Sequence, residues 1–161
     1  MFWSWIKTIL ILPLNVLVFI PGVMLYLSDY EFSLAQGWQA VGGIFLLILG
    51  LSLALWTMML FHHKGKGTAA PWNPPKKLVI EGPYRHVRNP MITSVLVIII
   101  AEWLLLGAWQ LLVLFIIFLI GNMIYFPLVE EKGLEKRFGE DYLRYKKHVP
   151  RYIPRLTAWI P

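Results

Sequence analysis

The densest chemistry in the chain is a run of ten residues, Glu81-Gly82-Pro83-Tyr84-Arg85-His86-Val87-Arg88-Asn89-Pro90. It closes a connection, 62–90, that also holds Pro71, Pro74 and Pro75. Proline fixes its own φ and pushes the residue before it out of the helical region, so this is a shaped loop. Two arginines, a histidine, a tyrosine and an asparagine on a stiff loop suit two tasks. They could wall a polar ligand site, or they could strap the chain to lipid headgroups.

A second cluster ends an apolar run at Phe126-Pro127-Leu128-Val129-Glu130-Glu131. Carboxylates there meet the negative end of the helix dipole, which disfavours them. Something positive must offset them: Arg85, Arg88 or tail lysines in a salt bridge, or a cationic ligand. Successive helical residues point about 100° apart, so the pair shares one partner only if the helix bends. Pro127 removes a backbone donor just before the pair and favours such a bend. His62 and His63 are adjacent but lack a third ligand, so they read as interfacial histidines and no metal site is expected. The chain has no cysteine, which excludes disulfides, thiolate zinc sites and cysteine nucleophiles.

The elements that position these clusters follow from composition. Of the 161 residues, 58% are hydrophobic and only 15% charged, and the charges are bunched. The apolar runs lack the polar residue at every third or fourth position that a soluble helix carries. Four are long enough for a bilayer, which needs roughly 20 residues per helix. They cover about 5–27, 38–61, 90–106 and 108–128. Breakers in the first, Pro13 and Pro21-Gly22, are tolerable in a membrane helix. Only Lys7 precedes it and no small-residue cleavage site comes before Ser28, so it reads as a retained span. Gly107 permits a tight turn that makes the last two spans a hairpin. Asn122 inside the fourth is expected to bond a neighbouring helix, and Glu102, near the outer end of the third, to face solvent. The tryptophans mark membrane interfaces.

The net charge of +6 would suggest nucleic acid in a soluble protein. Here the 15 lysines and arginines instead flank spans. Lys7 precedes the first; Lys64, Lys66, Lys76, Lys77, Arg85 and Arg88 lie between the second and third; the others follow the fourth. None falls in 28–37 or in the hairpin turn, where Asp29 and Glu31 sit on the opposite side. Four spans put every basic segment on one side, which the positive-inside rule makes cytoplasmic.

After the fourth span, Leu134, Phe138 and Tyr142 recur at intervals of four. Gly139 divides this stretch into two short amphipathic helices that could anchor at the interface or cover a site. Val149-Pro150-Arg151-Tyr152-Ile153-Pro154 then forms a proline-fixed loop. The expectation is an all-α integral membrane helical bundle, a single membrane domain over 1–161. It has about four transmembrane helices, a cytoplasmic loop 62–89 and a cytoplasmic tail 129–161 with an amphipathic helical segment.

Gly82-Pro83-Tyr84-Arg85-His86-Val87-Arg88-Asn89-Pro90-Met91 strongly resembles the signature of the isoprenylcysteine carboxyl methyltransferase-like family of membrane enzymes, phospholipid methyltransferases among them. So does the later set: Glu130-Glu131, Leu134, Phe138-Gly139, Tyr142, Tyr145 and Pro150-Arg151-Tyr152-Ile153-Pro154. The lead-in of Gly67-Thr68, Pro71-Trp72-Asn73-Pro74 and Leu78-Val79 looks like that of many bacterial members. The likeness covers about 64–155, with two motifs in order around a helical hairpin. It departs at Asn89, where many members have His, and at Ile92-Thr93-Ser94, where a Tyr-x-Gly is common.

The resemblance implies a methyltransferase in which S-adenosylmethionine arrives from the cytoplasm and a lipophilic acceptor from between the helices. It also implies a bacterial inner membrane with both termini inside. Carried onto this chain, it implies catalytic roles for Arg88 and Glu131. It implies cofactor contacts from Tyr84, His86, Arg88, Asn89, Pro90, Glu130, Glu131, Tyr145 and Arg151. The residue types suit that ligand. Arginine holds a carboxylate through paired donors, glutamate accepts from ammonium or ribose, and aromatics face adenine or sulfonium. A carboxylate or thiolate acceptor needs no base, whereas an amine needs His86 or a glutamate to take its proton. Two other functions remain open: a membrane scaffold or lipid-binding protein without cofactor, and a nicotinamide-dependent enzyme like the sterol reductases.

Overall fold

A run without water partners must satisfy its backbone internally, and the helix does so within one segment. The computed structural model describes residues 3, 11, 13–68 and 73–161. Trp5 and Lys7 of the first expected span, and Pro71 and Trp72 of the lead-in, lie outside the described residues. A π-helical turn, Asn15–Phe19, leads into α1, Ile20–Leu27. Next come α2, Gly37–Leu60, which runs on through a π turn at Phe61–Gly65, and α3, Pro90–Leu106. Then α4, Trp109–Tyr125, continues through a π turn at Phe126–Glu130 into α5, Glu131–His148. Among the described residues there is no strand.

Two continuous helices are long and apolar enough to cross a membrane, Gly37–Gly65 and Trp109–His148. Asn15–Leu27 and Pro90–Leu106 are shorter apolar helices. At 1.5 Å per residue the 40-residue helix Trp109–His148 is about 60 Å long. That is about twice the thickness of bilayer hydrocarbon. Its charged second half therefore has to lie outside any apolar layer that covers the first. The tail is thus not a separate pair of helices. It extends α4, and Gly139 (φ 53°, ψ −130°) kinks it rather than ending it.

The α2–α3 seam is the most extensive contact and rests on small residues. Gly43, Gly50 and Thr57 are the buried positions of α2, spaced by seven. A Cβ on Gly43 would come 2.6 Å from Leu105 Cγ, and one on Gly50 2.6 Å from Ile98 Cγ1. Such close approach replaces hydrophobic burial as the source of helix pairing where the surroundings are themselves apolar. The opposite face of α2 is exposed at Val41, Phe45, Ile48 and Leu55, as is α4 at Ile117, Ile120 and Ile124. Exposed apolar surface on this scale calls for an apolar cover. Within the bundle Val95, Ile99 and Leu114 form a core, packed by Leu17, Met24 and Phe115.

Gly107 (φ 66°) caps α3 and turns the chain into α4. The 28–36 connection docks against this end: Ala35 N donates to Leu105 O at 2.8 Å, Gln110 Nε2 to Ser28 Oγ at 2.7 Å, and the Tyr30 hydroxyl to Leu106 O. Glu102 differs from expectation, because docking half-buries it and leaves its Oε2 buried without a partner. Asn122 also differs: its Nδ2 donates to Phe118 O of its own helix at 2.8 Å. A second core forms at the other end, where Tyr142, Tyr145 and Val149 pack with Leu78, Ile80, Leu134 and Trp159. It fastens the tail to the loop that precedes α3.

Candidate functional site

The loop takes its shape from three local devices. Gly82 (φ 54°) lets the backbone press against α2, since a Cβ there would meet Trp56 Cζ2 at 2.8 Å. Pro83 opens a 3-10 turn, Gly82–Arg85, whose Pro83 carbonyl accepts from the amides of His86 and Val87. Pro90 starts α3, where its missing N–H costs nothing. The tail then lies along the loop through backbone hydrogen bonds. Arg88 N donates to Pro150 O at 2.9 Å, Arg155 N to His86 O at 3.0 Å and Trp159 N to Arg85 O at 3.0 Å.

This pairing brings Glu131 beneath three cations. Arg88 Nη1 donates to Oε1 at 2.7 Å; Arg151 donates from Nε to Oε1 at 2.6 Å and from Nη2 to Oε2 at 2.8 Å. Lys146 Nζ reaches Oε2 at 3.1 Å and also bonds Glu135 Oε1 at 2.7 Å. The Glu131 side chain is 1% exposed and that of Arg88 8%, against 24% for Arg151 and 37% for Lys146. Burial alone would raise the Glu131 carboxyl. Hydrogen bonds from Arg151 and Lys146 and the charge of Arg88 outweigh it and hold the group below the usual carboxylate range. With two donors on each oxygen, Glu131 has no capacity left for a ligand.

Glu130 lies apart from this cluster. No cation comes within ion-pair distance of it among the described residues. Burial raises its carboxyl above the usual range, and Arg137 only partly counters that. The two adjacent carboxylates therefore have separate surroundings, as the 100° between successive helical residues requires.

Tyr84 and Tyr145 are brought together, but with each other. Tyr145 Oη donates to Tyr84 O at 2.7 Å, and the Tyr84 ring stacks on Phe61 with centroids 5.3 Å apart. Burial, and then the neighbouring phenol, pushes both hydroxyls up, so both stay neutral. Tyr142 was not singled out from sequence for this site. Its buried ring lies beside Arg88, although its hydroxyl closes no well-formed hydrogen bond. Its spacing of three from Tyr145, and of seven from Val149, was the available signal of one inward face.

Asn89 is buried at the N-cap of α3, yet its side chain caps nothing. Its Nδ2 and Arg88 Nε are buried donors without a hydrogen bond among the described residues. Buried polar groups are nearly always paired, so two adjacent unmatched donors mark a place for an acceptor-bearing ligand. On the other side of the loop, His86 and Pro90 line a cleft of about 420 Å³ together with Leu53 and Trp56 of α2, Arg85 and Thr93. The expected residues thus divide into an ion cluster (Arg88, Glu131, Arg151), a buried tyrosine pair, a cleft wall (His86, Pro90), the unmatched Asn89 and the separate Glu130.

Residues 38–141 match the family model described as phospholipid methyltransferase. The match includes α2 to α4, the whole loop and both glutamates. No curated protein and no solved structure matches the chain. Families of this kind are membrane-associated and transfer methyl groups to lipid-type substrates. With well over half of its length matched, the chain belongs to the phospholipid methyltransferase family.

Proposed function

We propose that this protein is an S-adenosylmethionine-dependent methyltransferase for a lipophilic or membrane-associated acceptor, a carboxylate, amine or thiol. It works at the cytoplasmic face of a bacterial inner membrane, with four transmembrane helices and both termini inside. The observation that carries this reading is the pair of unmatched buried donors, Arg88 Nε and Asn89 Nδ2, where the two family motifs meet. Their chemistry fits the cofactor, whose carboxylate and ribose oxygens need donors. The charge pattern supports the topology, since all basic segments fall on one side of four apolar helices.

Bound there, the cofactor supplies an electrophilic methyl group on a sulfonium. Arg88 and Asn89 would hold its carboxylate, and Glu130, ionised and without an ion-pair partner, its ammonium. Pro90 would pack beside it. Glu131 and Arg151 fix the Arg88 guanidinium, so they act as positioning residues, and the Tyr84–Tyr145 contact fixes the loop. Methyl transfer is an in-line displacement that needs alignment above all, so a rigid clamp is an apt contribution from the protein. Fixed dipoles in a site shielded from water then stabilise the changing charge without reorganising.

Calorimetry on the detergent-purified full chain tests this directly. Saturable binding of S-adenosylmethionine, competed by S-adenosylhomocysteine, is expected. Absence of binding to folded protein in the presence of lipid would move the reading to a scaffold that keeps the fold alone.

A further inference from the structure

His86 is anchored by Nδ1, which lies 2.8 Å from the carbonyl oxygen of Arg155. A carbonyl can only accept, so Nδ1 carries the hydrogen, and the neutral ring keeps its lone pair on Nε2. Nε2 makes no hydrogen bond among the described residues, and the ring walls the 420 Å³ cleft. A histidine with its tautomer fixed from behind and its basic nitrogen open to a cleft is set up to take a proton.

The remaining lining says from what. Trp56 offers an aromatic face of the kind that attracts cations. Arg85 spends Nε on Ile80 O at 3.3 Å, and no carboxylate pairs with it among the described residues. Its outer nitrogens are therefore suited to an anion beside the cation. Leu53 and the Trp56 ring make the side toward α2 apolar. An amine next to a phosphate, carried on an apolar chain, complements all three features.

We propose that His86 is a catalytic residue, the general base that deprotonates an amine acceptor seated in this cleft. The inference rests on the methyltransferase reading and adds to it the base and the class of acceptor. An ammonium nitrogen has no lone pair and cannot attack. His86 Nε2 takes one proton and becomes imidazolium, and the acceptor becomes a neutral amine. The nitrogen pair then forms the N–C bond to the methyl group as the S–C bond breaks, its electrons leaving on sulfur. The products are a thioether and an N-methylammonium, and the proton on His86 passes to water. Position agrees with this order: His86 is two residues from Arg88, and Pro90 belongs both to the cleft wall and to the proposed cofactor contacts.

The test compares wild type with His86→Asn. Asparagine places an amide nitrogen where Nδ1 was, so it keeps the bond to Arg155 and loses only the basic nitrogen. His86→Gln, whose amide takes the place of Nε2 without its basicity, is the second variant if the first does not fold. Binding of S-adenosylmethionine is measured first, then transfer of labelled methyl to a diacylglycerophosphoethanolamine in mixed micelles. The same lipid with an aniline in place of ethanolamine, already neutral at pH 7, is the comparison acceptor. The expected result is a drop of about 100-fold on the alkylamine, the scale of general-base catalysis, and a defect at least tenfold smaller on the arylamine. Equal defects on both acceptors, or wild-type rates on the alkylamine, overturn the base. Cofactor binding with transfer to neither amine overturns the acceptor class and leaves the methyltransferase reading standing. Absence of cofactor binding overturns both.

Discussion

Arg151 and Glu131, 20 residues apart in the chain, meet as a forked pair with both carboxylate oxygens engaged, at 2.6 and 2.8 Å. The same carboxylate holds Arg88, 43 residues upstream, at 2.7 Å. One buried anion thus joins the loop before α3, the start of α5 and the loop after it. Removing it would strand a nearly buried guanidinium. Glu131→Gln is expected to cost about 3 kcal/mol, the range for breaking a buried pair from one side. Arg151→Lys keeps the charge but not the fork, and should cost roughly a third of that. Unfolding in mixed detergent, followed by helix content, measures both. Wild-type stability in Glu131→Gln would show that the cluster is not what joins these segments.

Asn89 should behave in the opposite way. Its side chain makes no cap and its Nδ2 is buried unpaired. Asn89→Ala is therefore expected to leave the ligand-free protein as stable as wild type, or up to about 1 kcal/mol more stable. Affinity for S-adenosylmethionine should fall about tenfold or more, the scale of one hydrogen bond to a charged group. A loss of stability without loss of affinity would reduce Asn89 to a structural residue.

The neighbouring carboxylates predict opposite responses to pH. The Glu131 carboxyl is held below the usual range, so its stabilisation is complete above its unfolded value of about 4.3. It is lost as the pH falls through the lower folded value. Unfolding midpoints should therefore stay level through neutrality and drop in acid, and Glu131→Gln should flatten the drop. The Glu130 carboxyl is raised by burial, so its ionised form destabilises the fold above the usual carboxylate range. Glu130→Gln should raise the midpoint at pH 7 while weakening S-adenosylmethionine binding. Midpoints measured between acid and neutral pH for the two variants decide this, and parallel curves would contradict it.

At the α2–α3 seam, Gly50→Ala places a Cβ 2.6 Å from Ile98 Cγ1 and 3.2 Å from the Ser94 carbonyl. Overpacking of this kind should cost about 1–3 kcal/mol. Gly121→Ala, where nothing lies within 4 Å, is the control and should be neutral or slightly favourable. Equal effects of the two would mean that the seam is looser than its geometry.

The helices were readable from residues alone because their signals are local. Apolar runs, the turn at Gly107, the kink at Gly139 and the proline-shaped loop each arise within a few positions. The α2–α3 seam was missed because Gly43, Gly50 and Thr57 mean little singly, and only their spacing of seven marks a face. Glu102 and Asn122 were misjudged because burial and partner choice depend on what docks from elsewhere. The site was half readable. Sequence named Arg88, Glu131 and Arg151 without indicating that they bind one another. Pairing of Arg155 with His86 and of Trp159 with Arg85 is made by backbone, which carries no residue signature.

The π turn at Phe126–Glu130 has a consequence for how this protein can vary. A π turn accommodates one residue more than an α turn would. Deleting a single residue there would restore regular winding and rotate all that follows by about 100°. Glu131 would swing away from Arg88, and Tyr142 and Tyr145 would leave the face that meets the loop. Point changes at the exposed Leu128 or Val129 leave that phase intact. Length is therefore the constrained property of this stretch, and identity the free one: the segment can drift in composition but not in number.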